Sequence, residues 1–383
     1  MTPDRAPKPL IPVIDLKRQH ASMRADLDAA IRRVVDSGWY VSGQETEAFE
    51  REWAAYCGTS YCVAVGSGTA ALNLTLRALG VGPGDEVVTA AFTLSATLDA
   101  ILETGARPVL VDVEPETGTL DARLLKRHLS PRTRAVMPVH IYGHPADMEA
   151  ILAVANGLPV VADACEAHGA LYKGRQATEL GAASCFSFYP TKNLNAIGDA
   201  GAVVTNDAAL AERLRRLRHH GWDRRFHSAV SSMNSRMDEV QAAVLRAKLR
   251  RLDAWNERRR AIARRFDAAL PQGGSVHAAA RAPWAEPCYY LYVVRTARRD
   301  GLRLALQEAG IASDVHWPEP PHLQPAFASL GYGRGSPSTG SGRRLPVTER
   351  LCAEVVTIPM FAELTEGELE RICAVLRAFS IER

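Results

Sequence analysis

Seven short apolar runs alternate with more polar segments between residues 61 and 205. Within each run the apolar residues are nearly continuous, a pattern typical of strands that are buried on both faces. Helical or turn-rich segments separate most of the runs, and this alternation predicts a layered α/β domain with a mostly parallel, seven-stranded sheet. The predicted strands are Cys62–Val65, Glu86–Thr89, Pro108–Asp112, Ala135–Val139, Val160–Asp163, Ser184–Phe188 and Ala202–Thr205.

A helix is predicted immediately before the first of these strands. Ser42 and Glu45 have the spacing of a capping box, in which each side chain would satisfy a free backbone N–H group at the helix start. Phe49 and Trp53 fall on one face of this helix, and Gly58 marks its end.

The C-terminal third of the chain has a different organisation. Leucines recur at helical spacing over about residues 238–270, which predicts one long helix. The remainder is typical of a smaller α+β domain, and its Gly-, Ser- and Arg-rich stretch at 331–344 predicts a mobile surface loop. We therefore divide the chain into an N-terminal arm with a large cofactor-binding α/β domain (1–240), a long connecting helix (241–270) and a small C-terminal α+β domain (271–383).

The amino-acid composition argues against several classes of protein. The chain has 383 residues with 46 basic and 43 acidic side chains, and this near balance argues against a nucleic-acid binder, which needs a basic excess. The seven cysteines are scattered with no CxxC pair, so neither a zinc site nor a redox disulfide is expected. Free thiols, the lack of a signal-like N-terminus and the lack of a long apolar run predict a cytoplasmic protein without a membrane span.

Three features along the α/β region carry candidate chemistry. A predicted strand is followed directly by the small residues 66–72 (GSGTAAL). This segment either binds a phosphate at a helix N-terminus or is only a tight turn in which Thr69 caps the helix. Asp163 ends an apolar strand, where it would face a cationic ligand or cap the next helix. Lys192 follows another strand, and a lysine in a partly desolvated pocket can form a Schiff base, although most lysines are surface charges.

The three features together indicate a particular kind of site more specifically than any one of them alone. A phosphate cradle, a carboxylate for a protonated ring nitrogen and an amine for an aldehyde are what a pyridoxal phosphate site requires. They occur here in one order along one sheet, together with Ser187. The sequence therefore predicts a pyridoxal 5′-phosphate enzyme.

The chain resembles the DegT/StrS-type sugar aminotransferases, which are fold-type I pyridoxal phosphate enzymes. The resemblance extends over nearly the whole chain. The segments that carry it are SGWYVSGQETEAFE (37–50), GSGTAAL (66–72), AAFTLSAT (90–97), PVHIYGHPADM (138–148), DACEAHGA (163–170), SFYPTKNL (187–194), GDAGAVVTND (198–207), NSRMDEVQAAVLRAKL (234–249) and VHWPEPPHLQPAF (315–327).

The resemblance implies roles for individual residues. Lys192 would be the Schiff-base lysine and proton shuttle, and Asp163 the partner of the pyridinium nitrogen. Phe92 would stack on the ring, with plain core packing as the alternative. Asn234 would reach the phosphate from a neighbouring subunit, which implies a homodimer with shared sites, although it could also cap a helix. The phosphate ligands would be Gly68, Thr69, Ala70 and Ser187.

Other implied contacts concern the cofactor hydroxyl and the substrate. Glu166 stands where many relatives have a glutamine that contacts the cofactor hydroxyl. Tyr189, His316 and His322 are candidate substrate contacts, and surface histidines are the alternative for the last two. Arginine clusters either form solvated helix faces or supply one or two side chains that meet the diphosphate of a nucleotide sugar; they lie at Arg213–Arg218, Arg224–Arg225 and Arg246–Arg265.

The implied reaction is ping-pong transamination. L-glutamate would convert the cofactor to pyridoxamine 5′-phosphate, and a nucleotide-linked keto sugar would then accept the amino group. The segment HWPEPPHLQ resembles relatives that act on dTDP-3-oxo-6-deoxyhexoses, and we expect that substrate class, in antibiotic or surface-glycan sugar assembly. The alternatives are a 4-oxo sugar or keto-cyclitol (scyllo-inosose-like) aminotransferase, then a sugar dehydratase or a non-catalytic cofactor-binding regulator.

Overall fold

The structure, a computed structural model, describes residues 9–332 and 344–381. Seven strands form the sheet of the large domain, at β1 Tyr61–Val65, β2 Glu86–Ala90, β3 Arg107–Val111, β4 Thr133–Met137, β5 Val161–Asp163, β6 Ala183–Ser187 and β7 Gly201–Thr205. Most of the predicted N-terminal arm and of the predicted loop at 331–344 lies outside the described residues.

The strand order across the sheet is β3–β2–β4–β5–β6–β7–β1. Single parallel bridges from Val136 to Val160 and from Val139 to Asp163 join β4 to the segment of β5, where the two halves of the sheet meet. The pairings β2–β3, β2–β4 and β5–β6 are parallel, whereas β7 runs antiparallel to both of its neighbours. The predicted mostly parallel seven-stranded sheet is confirmed.

Both faces of the sheet are buried, which explains the continuous apolar runs. In β1, Val63 and Val65 belong to one apolar cluster, while Cys62 and Ala64 belong to another on the opposite face. Successive side chains of a strand point to opposite faces, so a strand covered on both sides needs apolar residues at every position.

Helices cover the sheet and build the rest of the chain. Within the described residues the α-helices are α1 Leu16–Ser22, α2 Arg24–Ser37, α3 Gln44–Tyr56, α4 Gly68–Ala78, α5 Ser95–Leu102, α6 Ala122–Leu125, α7 Met148–Ala155, α8 Ala208–Leu217, α9 Glu239–Leu249, α10 Leu252–Ala269, α11 Arg299–Glu308, α12 Pro346–Glu354 and α13 Glu366–Ile381. Short 3-10 turns lie at Lys126–His128, Ile141–Gly143, Ala177–Glu179, Pro321–Leu323 and Pro325–Leu330. None of the helices in this part of the chain has the length and apolar character to cross a membrane.

The C-terminal region forms an antiparallel sheet of β8 His277–Ala278, β9 Tyr292–Arg295 and β10 Val355–Ile358, with β9 in the middle. Helices α10, α11 and α13 pack around it over an apolar core of their own. Minor strands elsewhere are Leu171–Tyr172, Arg175–Gln176, Trp222–Arg224, His227–Ser228 and Ala285–Glu286. The division of the chain at residues 240 and 270 stays a prediction.

Two local predictions about helices are wrong. The long helix at 238–270 is two helices, because the chain turns at Arg250–Arg251; α9 packs on α2 and α3, whereas α10 packs on α13. Ser42 does not cap α3, since its φ is +55° and the N-cap residue is Gly43. The carboxylate of Glu239 instead accepts hydrogen bonds from the N–H groups of Gly43, Glu45 and Thr46, at 2.9–3.1 Å.

Candidate active site

A cavity of about 520 Å³ opens at the carboxyl ends of β5 and β6. Its walls come from the large domain and from the C-terminal segments around residues 290, 316 and 360. Open α/β sheets place ligands at this edge because the loops after neighbouring parallel strands converge there. Lys192, Asp163 and the turn at 67–69 all line the cavity.

Lys192 lies on the loop after β6 and is 8% exposed. Its Nζ donates a hydrogen bond to Glu166 Oε1 at 3.2 Å and lies 3.9 Å from the centre of the Tyr290 ring. Burial alone would lower the pKa of this amine, but the charge of Glu166 acts in the opposite direction and the net effect raises the pKa above its usual value. The amine is therefore held as an ammonium ion beside a carboxylate.

Two buried asparagines hold the loop on either side of Lys192. Asn195 Nδ2 donates to the carbonyl oxygen of Lys192 at 2.9 Å. Asn193 Nδ2 donates to the carbonyl oxygen of Cys288 at 2.9 Å and to Asn256 Oδ1 at 2.8 Å. These bonds fix the backbone from which the lysine side chain extends.

Asp163 ends β5 and is 6% exposed. Its Oδ2 accepts a hydrogen bond from Thr97 Oγ1 at 2.8 Å, and its Oδ1 accepts one from the N–H of Cys165 at 3.2 Å. The segment that follows Asp163 is a turn and not a helix, so the second bond stabilises that turn and the helix-cap alternative is wrong. An oriented, buried carboxylate at the edge of a cavity can hold a cationic ring nitrogen.

The turn before α4 forms a close-fitting cradle. Ser67 caps the helix, with its Oγ accepting from the N–H of Ala70 at 3.1 Å. The N–H groups of Gly68 and Thr69 have no intrahelical acceptor by their position at the helix start, and both residues line the cavity. A Cβ on Gly68 would lie 2.6 Å from Ser187 Cβ, so only glycine fits there. Ser187 lines the cavity, whereas Ala70 does not.

Phe92 is not placed to stack on a ring in this cavity. It is 2% exposed, does not line the cavity and makes edge contacts with the rings of Tyr142 and Trp317. Phe92 is therefore a packed core residue, which was the alternative to stacking on the cofactor ring. Leu94, two residues further on and 45% exposed, projects into the cavity from the same segment.

Among the candidate substrate contacts, Tyr189 and His316 line the cavity and His322 does not. His322 is 2% exposed, stacks edge-on to Tyr332 and pairs with Glu349 at 3.4 Å, so it is a packed side chain rather than a sugar contact. His316 Nδ1 is 2.9 Å from the Thr357 hydroxyl oxygen, and burial lowers the pKa of this imidazole.

Asn234 is exposed and lies outside the cavity of its own chain. It forms a bridge with His219 at the base of the segment 219–235. The contact of Asn234 with a neighbouring subunit's cofactor site stays a prediction.

Several lining residues were not predicted from the sequence. Asp199, Asp314, Thr191 and Tyr290 all border the cavity. Asp199 lies in the GDAG segment, which the sequence marked only as flexible backbone. A position beside a predicted Schiff-base loop could have drawn attention to it, whereas Asp314 and Tyr290 are brought in from more than 90 residues away and have no local signal.

The residues present fit pyridoxal phosphate. The cradle at Gly68 and Thr69 suits a phosphate, Asp163 suits a protonated ring nitrogen and Lys192 suits the aldehyde carbon. Glu166 Oε2 accepts a hydrogen bond from the N–H of Tyr142 at 2.7 Å, and its Oε1 faces Lys192.

Comparison with known proteins agrees with this assignment. A model of the DegT/DnrJ/EryC1/StrS aminotransferase family matches residues 21–377. The relative named erythromycin biosynthesis sensory transduction protein EryC1, from Saccharopolyspora erythraea, is 45% identical over 96% of this chain and 99% of its own length. The dTDP-3-amino-3,4,6-trideoxy-alpha-D-glucose transaminase of Streptomyces venezuelae is 45% identical over 98% of each chain.

Solved structures of similar proteins have the same fold as this chain. The crystal structure of S. venezuelae DesV in complex with a ketimine intermediate has a TM-score of 0.94 at 44% identity, covering 98% of this chain and 100% of that one. Other solved structures among the matches carry the cofactor in its pyridoxal or pyridoxamine phosphate form.

Proposed function

Since the chain belongs to the DegT/DnrJ/EryC1/StrS aminotransferase family, we propose that it transfers an amino group from L-glutamate to a dTDP-linked 3-oxo-6-deoxyhexose. The chain is an aminotransferase, and its cofactor is pyridoxal phosphate. The observation that carries the proposal is the placement of Lys192, Asp163 and the Gly68 turn around one cavity.

Each of the site residues has a separate role in the proposed reaction. Bound pyridoxal phosphate supplies a ring that withdraws electrons from the amino acid's α-carbon. Asp163 keeps a positive charge on the ring nitrogen. Lys192 would hold the cofactor aldehyde when no substrate is present, and its free amine would otherwise carry the proton that the reaction moves. Gly68, Thr69 and Ser187 hold the phosphate.

The choice of sugar rests on likeness. The S. venezuelae relative is named for a dTDP-linked 3-amino sugar, and it is 45% identical over nearly the full length. Apolar side chains of Val13, Ile14, Leu94 and Met360 also line the cavity. Such a lining favours the methyl group of a 6-deoxy sugar over a hydroxymethyl or carboxylate group. The product would enter amino-sugar biosynthesis of the kind used for antibiotics.

The proposed active form is a homodimer with shared sites. Four carboxylates and one ammonium line the cavity among the described residues, although a phosphate and a glutamate must both bind. Cations and amides from a second copy would balance this charge. The segment 219–235 contains the exposed Arg224, Arg225 and Asn234, and the exposed aromatic rings of Trp39 and Phe226 suit burial in an interface.

Hydride trapping tests the role of Lys192. Borohydride reduces a Schiff base to a stable amine, so reduction of the loaded enzyme should leave a phosphopyridoxyl group on the peptide that contains Lys192. Lys192→Ala should lose multiple-turnover transamination. Labelling of a different lysine, or retained turnover in the variant, would refute the assignment.

Hybrid dimers test the sharing of sites. Lys192→Ala and Asn234→Ala are each expected to be nearly inactive alone. After mixing and exchange of subunits, half of the dimers would be hybrids with one complete site, so about a quarter of the wild-type activity should return. No recovery from a mixture shown to contain hybrids would contradict sharing through Asn234.

A further inference from the structure

Glu166 and Lys192 form a buried pair inside the cavity. Their side chains are 9% and 10% exposed, and Oε1 and Nζ are 3.2 Å apart. The other carboxylate oxygen accepts the Tyr142 N–H at 2.7 Å. Each carboxylate oxygen thus has one partner, and the oxygen that faces the amine has no second protein donor among the described residues.

Because the pair keeps Lys192 protonated, the amine must lose a proton before it can form a Schiff base. An ammonium ion cannot attack an aldehyde, because its nitrogen has no free electron pair. The proton must therefore leave before the carbon–nitrogen bond forms. A carboxylate at hydrogen-bond distance is the nearest acceptor. An amide in its place could accept one of the two hydrogen bonds through its single oxygen, but it could not accept the proton.

We propose that Glu166 is a proton carrier for Lys192, a role that rests on the proposed function of Lys192 as the Schiff-base residue. Glu166 takes one proton from the ammonium group, and the neutral amine bonds to the aldehyde carbon. The carbonyl oxygen then leaves as water with that proton and one further proton from the nitrogen. The product is a protonated C=N bond beside a Glu166 carboxylate, so the charges of the pair are the same before and after.

Proton transfer within a closed pair has a kinetic signature. While the pair shares one proton, the fraction in the reactive amine–acid form does not depend on the pH of the solvent. Without the carboxylate, the amine must lose its proton to water, and its rate falls as the pH falls below its midpoint. Burial lowers that midpoint, whereas in the wild-type protein Glu166 raises the pKa of Lys192.

Among the described residues, Glu166 is the carboxylate that pairs with the Lys192 amine. His168 is buried and Cys165 is half-buried. Desolvation raises the pKa of the thiol and lowers that of the imidazole to about 3, so both are neutral. Asp163 already accepts from Thr97 and from a backbone N–H group. The remaining titratable side chains that line the cavity are Tyr189, Asp199, Tyr290, Asp314 and His316.

The test is the rate at which cofactor-free enzyme forms its absorption band with added pyridoxal phosphate, from about pH 6 to pH 9. The ratio of wild-type to Glu166→Gln rates cancels the ionisations of the free cofactor. We expect this ratio to rise about tenfold for each pH unit below the midpoint of the variant's amine. Asp314→Asn removes a carboxylate from the same cavity without touching Lys192, and its ratio to wild type should not change with pH.

A ratio that is constant with pH for Glu166→Gln would overturn the proposal while leaving the role of Lys192 intact. Absence of a band in the wild-type protein, or a band that forms on another lysine, would instead contradict the proposed function. Should Glu166→Gln fold poorly, Glu166→Ala with added formate provides a second test. Formate should restore the rate near pH 6, and chloride at equal ionic strength should not; equal effects of the two salts would also overturn the proposal.

Discussion

Asn195 joins the backbone of Lys192 to a buried amine on a distant helix. Its Nδ2 donates to the Lys192 carbonyl oxygen at 2.9 Å, and its Oδ1 accepts a hydrogen bond from Nζ of Lys248. Asn195 is 1% exposed, and Lys248 on α9 is fully buried. The backbone position of Lys192 therefore depends, through Asn195, on helix α9.

Asn195→Ala should weaken cofactor binding more than its effect on folding explains. Asn73→Ala is a matched control, because Asn73 is 1% exposed and its Nδ2 donates at 3.1 Å to the carbonyl oxygen of Ala100 on α5 rather than to the Lys192 loop. Both variants should lose about 1–3 kcal/mol of unfolding free energy in urea titrations. Only Asn195→Ala should raise the Kd for pyridoxal phosphate, by about tenfold; equal Kd values would show that the bond does not position Lys192.

Lys248 gives the folding stability a dependence on pH. Burial lowers its pKa to about 8, against an opposing effect of Glu363. In the unfolded chain a lysine titrates near pH 10.4, so from about pH 8 to pH 10 the unfolded state binds a proton that the folded state does not. Stability from this group therefore rises as the pH rises through that window.

The measurement is the unfolding free energy of the wild-type protein and of Lys248→Met at several pH values. The difference, wild type minus variant, should increase by about 1.4 kcal/mol per pH unit across the window. Comparison with Met removes the contributions of all other titrating groups that the two proteins share. A difference that stays constant would show that Lys248 titrates normally in the folded state.

Gly68→Ala should close the phosphate cradle. The new Cβ would lie 2.6 Å from Ser187 Cβ and 2.9 Å from Cys165 Sγ, so the turn must move. We expect a loss of about 1–3 kcal/mol in stability, with weaker cofactor binding. Gly82→Ala adds a Cβ that meets nothing within 4 Å, and cofactor titration and thermal unfolding should show no comparable loss. Full cofactor affinity in Gly68→Ala would place the phosphate elsewhere.

Asp163→Asn should reduce turnover with little change in the fold. The amide oxygen can still accept from Thr97, but the side chain no longer carries the charge that stabilises a protonated ring nitrogen. We expect kcat to fall about a hundredfold or more. Thr97→Val removes the hydrogen bond and keeps the charge, so steady-state kinetics should show a much smaller decrease. Similar losses in both variants would mean that orientation, not charge, is the contribution of Asp163.

The strands and the strand-end residues were predictable because burial on both faces leaves a local signal. Continuous apolar runs mark the strands, and residues that follow a strand's carboxyl end, such as Asp163 and Lys192, converge at one edge of a parallel sheet. Neither inference needs information about distant parts of the chain.

Three of the wrong predictions concern side chains whose surroundings come from elsewhere in the chain. Phe92 and Leu94 are both apolar and two residues apart, and only the folded loop decides which of them faces the cavity. His322 is buried against a glutamate 27 residues away. The cap of α3 comes from Glu239, nearly 200 residues later, and no local pattern around Ser42 could reveal it.

A spectroscopic half-reaction tests the central claim most directly. The enzyme is first converted with L-glutamate to its pyridoxamine phosphate form, and excess donor is removed. A dTDP-3-oxo-6-deoxyhexose or a dTDP-4-oxo-6-deoxyhexose is then added separately, and the absorption of the pyridoxal phosphate form is followed. Return of this absorption with the 3-oxo sugar alone is the predicted result, and return with the 4-oxo sugar alone, or with neither sugar, would contradict the account.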